Sequence, residues 1–226
     1  MRINKYIALS TGISRRMADK AVAAGRATIN DRPAETGSDV KDTDTVELDG
    51  RVITPAVNTV TVMFHKPVGC VVSRDGQGSL TIYDLLPDEY RLLKPIGRLD
   101  KNSSGLLLLT NDGQLANELT HPRYSKIKIY EVTLGKPLAP LHRQMINDHG
   151  INLEDGNSQL ALERLVDGDD TQWRITMKEG RNRQIRRTFA SLNYYVAKLH
   201  RTTFGAYHLG ELPVRQTELL ASQTAN

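Results

Sequence analysis

The side chains best suited to do chemistry in this chain are Asp100, Tyr130 and the arginines Arg183, Arg186 and Arg187. Asp100 closes the segment Gly97-Arg-Leu-Asp100, set between Tyr90-Arg-Leu-Leu-Lys-Pro-Ile and Lys101-Asn-Ser-Ser-Gly105. A lone carboxylate at the mouth of a tight turn, with Arg98 two residues before it, is a candidate nucleophile. If the run is extended, alternation puts Ile96, Arg98 and Asp100 on one face, with the apolar run Leu106 to Leu109 as a buried strand behind them. Taken alone, these four residues favour an ordinary polar turn. No second acid accompanies Asp100, which argues against glycoside hydrolysis, where an acid and a base stand across the bond.

Tyr130 lies in Lys126-Ile-Lys-Ile-Tyr-Glu-Val-Thr-Leu134, where alternation groups it with Val132 and Leu134, opposite Ile127 and Ile129. Such a ring can be a core residue or a stacking surface for an extruded base. The arginines belong to a helix predicted over 182–192. At roughly 100° per residue, Ile185, Phe189 and Leu192 form one stripe and Arg183, Arg186 and Arg187 another nearly opposite. The first stripe packs; the second is either a solvated face or turned to a cleft.

These residues need a scaffold. Short apolar runs at 60–65, 69–73, 106–110, 127–134, 159–166 and 173–178, with helices at 113–120 (capped by Asp112) and 138–148, predict a largely antiparallel sheet flanked by helices, an α+β design. Trp173, alternating with Ile175 and Met177, reads as core. Ahead of this, Ser14 caps a helix that stops at Gly25, a shorter helix spans 4–9, and the two pack through Ile7, Ala18, Ala21 and Val22. Turns at Asn30-Asp31 and Asp49-Gly50 mark small hairpins. Arg2, Lys5, Arg15, Arg16, Lys20 and Arg26 gather on this small unit, either as a solvated face or as a phosphate grip. The Pro-containing link 54–59 separates a domain at 1–56 from one at 60–226.

The chain has 226 residues and a formal charge of +4, with a pI near 9.2. This suits one sizeable core plus an appended unit. Its one cysteine, Cys70, excludes an internal disulfide and a thiolate-rich metal site, as in a reducing compartment. No apolar stretch reaches membrane-spanning length. The histidines His121, His142, His149, His200 and His208 are scattered without ligand spacing, and no glycine-rich phosphate loop follows a strand. The expectation is a cytoplasmic protein without metal, membrane contact or nucleotide cofactor.

Six segments in order resemble one family: Arg2-Ile-Asn-Lys5 with Gly12-Ile-Ser-Arg-Arg16, His65-Lys-Pro-Val-Gly69, Gly97-Arg-Leu-Asp100, Lys128-Ile-Tyr130-Glu-Val, Glu179-Gly-Arg-Asn-Arg-Gln-Ile-Arg-Arg187, and Leu199-His-Arg201 with Gly205. The chain resembles the RsuA-like ribosomal RNA pseudouridine synthases over nearly its whole length. The resemblance implies an S4-like RNA-binding domain followed by a catalytic domain whose cleft crosses the sheet. By the same resemblance Asp100 attacks C1′ of a uridine or takes a proton from C2′, Tyr130 stacks on the base, and Arg186 pairs with Asp100. Arg183 and Arg187 bind phosphates, Arg201 contacts RNA, and Arg98 either binds phosphate or replaces Arg186 beside Asp100. Lys66-Pro67-Val68-Gly69 supports the catalytic loop. The expected partner is ribosomal RNA or a pre-ribosomal particle, with the large subunit favoured over the small, and the protein a monomer. A non-catalytic assembly factor and a transfer-RNA modifier are the rival readings. One departure stands out: the tail Leu209-Gly-Glu-Leu-Pro213 runs directly into Val-Arg-Gln-Thr-Glu-Leu219, several residues shorter than the family pattern at the edge where the last segment docks.

Overall fold

The computed structural model describes residues 1–55 and 59–220, so residues 56–58 of the expected link lie outside the described residues. The chain divides into two compact units, Met1–Thr59 and Val60–Asn226.

In the first unit, helix α1 (Ile3–Thr11) ends at Gly12, whose φ of 77° closes it, and helix α2 (Arg15–Ala23) starts at Ser14. The Ser14 hydroxyl accepts the Met17 N–H at 3.2 Å, the expected N-cap. Ile3, Ile7, Ala18 and Val22 bury themselves with Ala27, Val40 and Val46, and each large aliphatic side chain removed from water contributes about 1.5–3 kcal/mol. Strands β1 (Ala27–Ile29), β2 (Arg32–Pro33), β3 (Val46–Leu48) and β4 (Arg51–Val52) pair in the order β2-β1-β3-β4. Their hairpins turn on Asn30-Asp31 and Asp49-Gly50, with positive φ at all four residues. That geometry matches the right-handed twist of the flanking strands.

The larger unit is a mixed α/β structure. Its strands are β5 (Thr61–Lys66), β6 (Lys94–Pro95), β7 (Ser104–Thr110), β8 (Lys128–Leu134), β9 (Ile151–Leu153), β10 (Gly156–Ser158), β11 (Ala161–Arg164), β12 (Gln172–Met177), β13 (Val196–Phe204), β14 (Tyr207–His208) and β15 (Thr217–Leu220). Helices α3 (Gly113–Thr120), α4 (Pro140–Gln144) and α5 (Gln184–Ala190) accompany them. Among the described residues the main sheet runs β11-β12-β8-β13-β7-β5-β15, with β14 beside β13 and β6 beside β7, while β9 and β10 form a separate hairpin. Its pairings are antiparallel except β13 with β7, which run parallel through His200↔Ser104 and Arg201↔Gly105. At that junction the backbones nearly touch: a Cβ on Gly105 would lie 2.2 Å from the Arg201 carbonyl oxygen, and its φ is 107°. Only glycine fits both demands.

Strands β12, β8 and β13 set three rungs on their cleft face, Met177-Lys128-Phe204, Ile175-Tyr130-Arg201 and Trp173-Val132-Leu199. Trp173 is fully buried, with its indole N–H donated to the Asp170 carbonyl at 2.9 Å. The shortened tail docks: β15 pairs with β5, and the His65 carbonyl accepts the Arg215 N–H at 2.9 Å.

Several local expectations fail for identifiable reasons. Residues 69–73 form no strand, because Gly69 (φ 91°) turns the chain so that its N–H reaches the Lys101 carbonyl at 2.8 Å, and Val71 makes only an isolated bridge to Thr81. The 138–148 helix is a short α4 that widens into a π turn over Met145–His149. Ile96 and Arg98 do not share a face: Ile96 and Leu99 are buried and Arg98 is exposed, since Gly97 (φ 71°) breaks the extended run.

Candidate active site

Asp100 sits in the loop between β6 and β7, fixed from below by a lysine. Lys66 ends β5 and is fully buried, and its ammonium donates to the carbonyls of Pro67 (2.9 Å), Asp100 (3.1 Å) and Ser103 (2.8 Å). Three donors meet three acceptors, so the charge is solvated by the loop it holds. Burial pushes the Lys66 pKa down, opposed by Cys70 and Asp100. The expected support of the catalytic loop by Lys66-Pro67-Val68-Gly69 therefore has a specific atom at its centre.

The Asp100 carboxylate itself faces two guanidiniums. Arg183 Nη1 donates to Oδ2 at 3.4 Å, and Arg186 Nε lies 3.9 Å from the same oxygen. Their settings differ. The Arg183 side chain is about half exposed, and the residue adopts φ 47° just ahead of α5. The Arg186 side chain is 10% exposed. It donates to the carbonyls of Val196 (2.8 Å) and Asn102 (2.7 Å) and to the Ser103 hydroxyl (3.3 Å). Burial lowers the Arg186 pKa, the neighbouring Arg183 adds to this, and Asp100 opposes it. Arg186 is thus welded to the loop backbone beside Asp100, whereas Arg183 approaches the carboxylate from solvent.

Arg187 goes elsewhere, with its guanidinium clasped by Asp155 at 2.6 and 3.0 Å. The helical wheel had grouped Arg183, Arg186 and Arg187 on one face. The helix starts only at Gln184, so Arg183 obeys a left-handed turn instead. Gln184 makes that turn: its carbonyl oxygen Oε1 accepts the Arg181 N–H at 3.1 Å, and its amide donates to Ser158 at 3.1 Å and to Glu179.

A cavity of about 680 Å³ opens beside Asp100. Arg98, Asp100, Tyr130, Arg183 and Arg201 line it, together with Lys128, Gln184, Ile185, Leu199 and Phe204. Tyr130 is 8% exposed and belongs to the core cluster as well as the cavity wall, so its two readings, core and site, are both physically met. Arg201 is buried to 2% and donates through Nε to the Leu106 carbonyl at 2.8 Å. Arg98 is exposed and forms no ion pair with Asp100 among the described residues; that place is taken by Arg183 and Arg186. Lys128 and Gln184 escaped the sequence reading. Alternation from Tyr130 back by two residues would have found Lys128, whereas nothing local marks Gln184.

In the small unit, Lys5, Arg15, Arg16 and Lys20 are exposed on α1 and α2. Arg2 and Arg26 are exposed too, but Arg26 is bound by Asp49 at 2.5 and 2.7 Å and Arg2 lies 3.7 Å from Asp39.

A carboxylate held between guanidiniums at the edge of a sheet-floored cavity defines an enzyme-like cleft of a kind that comparison with known proteins places. Residues 60–191 match the RNA pseudouridylate synthase family. The chain is 35% identical over 98% of its length to a ribosomal large subunit pseudouridine synthase B of Xylella fastidiosa, covering 51% of that protein. It is 34% identical over 92% of its length to the synthase of the same name from Bacillus subtilis, covering 87% of it. A crystal structure of a pseudouridylate synthase superposes with a TM-score of 0.69 at 31% identity, over 97% of this chain and 96% of that one. The protein belongs to the RNA pseudouridylate synthase family. It spans about half the length of the Xylella relative. Among the described residues no helix is long and apolar enough to cross a membrane.

Proposed function

We propose that this protein converts a uridine of ribosomal RNA into pseudouridine, with the large subunit as the favoured source of that RNA. The observation that carries the proposal is the Asp100 carboxylate set 3.4 and 3.9 Å from two guanidiniums at the wall of a cavity that Tyr130 also lines. The names of the Xylella and Bacillus relatives favour the large subunit.

The reaction breaks the C1′–N1 bond, turns the uracil and rejoins it through C5. Asp100 supplies the carboxylate near the sugar, either attacking C1′ or removing the C2′ proton. Arg186, fixed by three hydrogen bonds to its surroundings, orients Asp100, and Arg183 shares that oxygen until RNA arrives and offers a phosphate. Tyr130 gives the extruded base a ring to stack on. Arg98 at the rim meets the RNA backbone. The Met1–Thr59 unit serves as an S4-like anchor that grips phosphates through Lys5, Arg15, Arg16 and Lys20 and leaves the choice of base to the cleft.

The test is incubation of purified protein with unmodified small- and large-subunit ribosomal RNA and with pre-ribosomal particles, followed by carbodiimide labelling and primer extension. The expected result is one new stop on large-subunit RNA that disappears with Asp100→Asn. Binding without a stop on any substrate would replace the enzyme by an assembly factor that grips RNA alone.

A further inference from the structure

The cleft face of β8 and β13 carries a second polar cluster that the chemistry at Asp100 leaves unused. Lys128 and Tyr130 alternate along β8; Phe204 stands opposite Lys128, and Arg201 opposite Tyr130. All four line the cavity. Arg201 Nε is satisfied by the Leu106 carbonyl, but Nη2 is buried and has no acceptor among the described residues. The Arg201 guanidinium lies 4.8 Å from the centroid of the Phe204 ring, and the Lys128 ammonium 5.2 Å from it. Lys128 makes one long contact, 3.4 Å to the Lys126 carbonyl. Burial and then Arg201 push its pKa down, while Glu179 pulls it up. Glu179 is itself engaged by Arg181 and Gln184.

A buried donor left without an acceptor costs about 1–3 kcal/mol, more when it is charged, and two cations sharing one ring repel. Among the described residues neither cation has a carboxylate bound to it, so the missing complement is an electron-rich oxygen brought in by a ligand. A backbone phosphate and a base carbonyl both offer one. Position favours the base: Arg201 is paired across the strands with Tyr130 on the cavity wall, while exposed Arg98, Lys178 and Arg183 are available at its rim for phosphates.

We propose that Lys128 and Arg201 form an oxyanion subsite for the detached uracil, a deepening that rests on the pseudouridine synthase reading above. When Asp100 bonds to C1′ or removes the C2′ proton, the C1′–N1 bond breaks and its electron pair stays with the base. The uracil is then a monoanion with charge on O2 and O4, and the two cations take one of these oxygens. Rejoining returns the pair: C5 bonds to C1′, Asp100 leaves as carboxylate or gives its proton back to C2′, the C5 proton departs and N1 gains one. No other reactant is consumed. Preorganised charge of this kind acts where negative charge develops, and removing one such donor typically slows reaction by about 10²–10³-fold.

Lys128→Met keeps the side-chain stem and removes the charge. Single-turnover conversion of ribosomal RNA should fall about 10²–10³-fold, with the Kd for RNA within about twofold. A matched RNA carrying 5-fluorouridine, whose base leaves more readily as an anion, should reduce the deficit by about tenfold or more, read as disappearance of the unrearranged nucleoside by mass spectrometry. Because both substrates meet one preparation, that ratio does not depend on the fraction folded. An equal deficit on both substrates overturns the proposal. So does a weakened Kd with a salt slope reduced by about one and an unchanged rate at saturating RNA, which would assign the pair to a phosphate. Wild-type protein that turns over no RNA removes the functional reading itself, and the subsite with it; wild type and Lys128→Met turning over equally removes the subsite alone.

Discussion

In the amino-terminal unit, Lys5, Arg16 and Lys20 project from short helices into solvent. In the larger unit, Lys66, Arg186 and Arg201 are sunk beside the cavity, with N–H groups on the carbonyls of Asp100, Asn102 and Leu106. The first set can be rearranged or screened by salt at little cost to the fold. The second set is built into the backbone around the cavity: removing Lys66 or Arg186 takes donors away from carbonyls of the loop that carries Asp100, and removing Arg201 takes one from the strand behind it. A grip on a polyanion tolerates loosely held side chains; aiming one carboxylate at one carbon does not.

The sharpest way to break this contrast is at Asp100. Asp100→Asn should lower turnover by at least about 10⁴-fold, as expected for loss of the group that attacks C1′ or takes the C2′ proton, with RNA affinity unchanged in filter binding. Retained turnover would dissolve the catalytic half of the comparison. Next comes Lys66→Met, which leaves three carbonyls without their donor. It should destabilise the larger unit by about 2–4 kcal/mol, read as a shift in urea midpoint, and abolish turnover even in the fraction that remains folded. Gly105→Ala should act as severely on stability, by about 3 kcal/mol or more, because its Cβ meets the Arg201 backbone; a variant of native midpoint would mean the β7–β13 junction yields.

Effects in the amino-terminal unit are expected to be smaller and of another kind. Arg15→Gln with Arg16→Gln should reduce the slope of log K against log salt by about 0.7–0.9 for each lost phosphate contact and leave the rate at saturating RNA unchanged. An unaltered slope would take these residues out of the RNA interface. The smallest effect concerns acidity. Burial, then His65 and Lys198, lower the pKa of His200, against a pull from Glu131. Its folded value lies below its unfolded value, so the unfolded chain binds the proton first. Stability should hold above the unfolded His pKa of about 6.5 and fall as the pH drops through the folded one. His200→Asn should flatten that part of the stability–pH curve.

Local chemistry was legible where one short stretch contains both partners. Ser14 caps α2 through Met17, Asp112 caps α3 through Gln114 and Leu115, and the two hairpin turns sit on the expected pairs. Strand alternation placed Trp173 in the core and put Tyr130 on a face that proved to line the cavity. The arginines were not separable in this way. A wheel drawn over 182–192 assumes helical geometry from its first residue, and Arg183 departs from it.

The sequence by itself therefore determined the helix caps, the tight turns, the inward faces of the strands and the motifs that mark the family, because each depends on residues within a few positions of one another. Only the tertiary structure decided which arginines meet Asp100, that Arg187 goes to Asp155, that Lys66 carries the loop, and that Lys128 and Arg201 share one ring. Those partners stand far apart along the chain, 83 residues for Asp100 and Arg183 and 95 for Arg201 and Leu106. Their meeting is fixed by sheet register and close packing, which no local preference encodes.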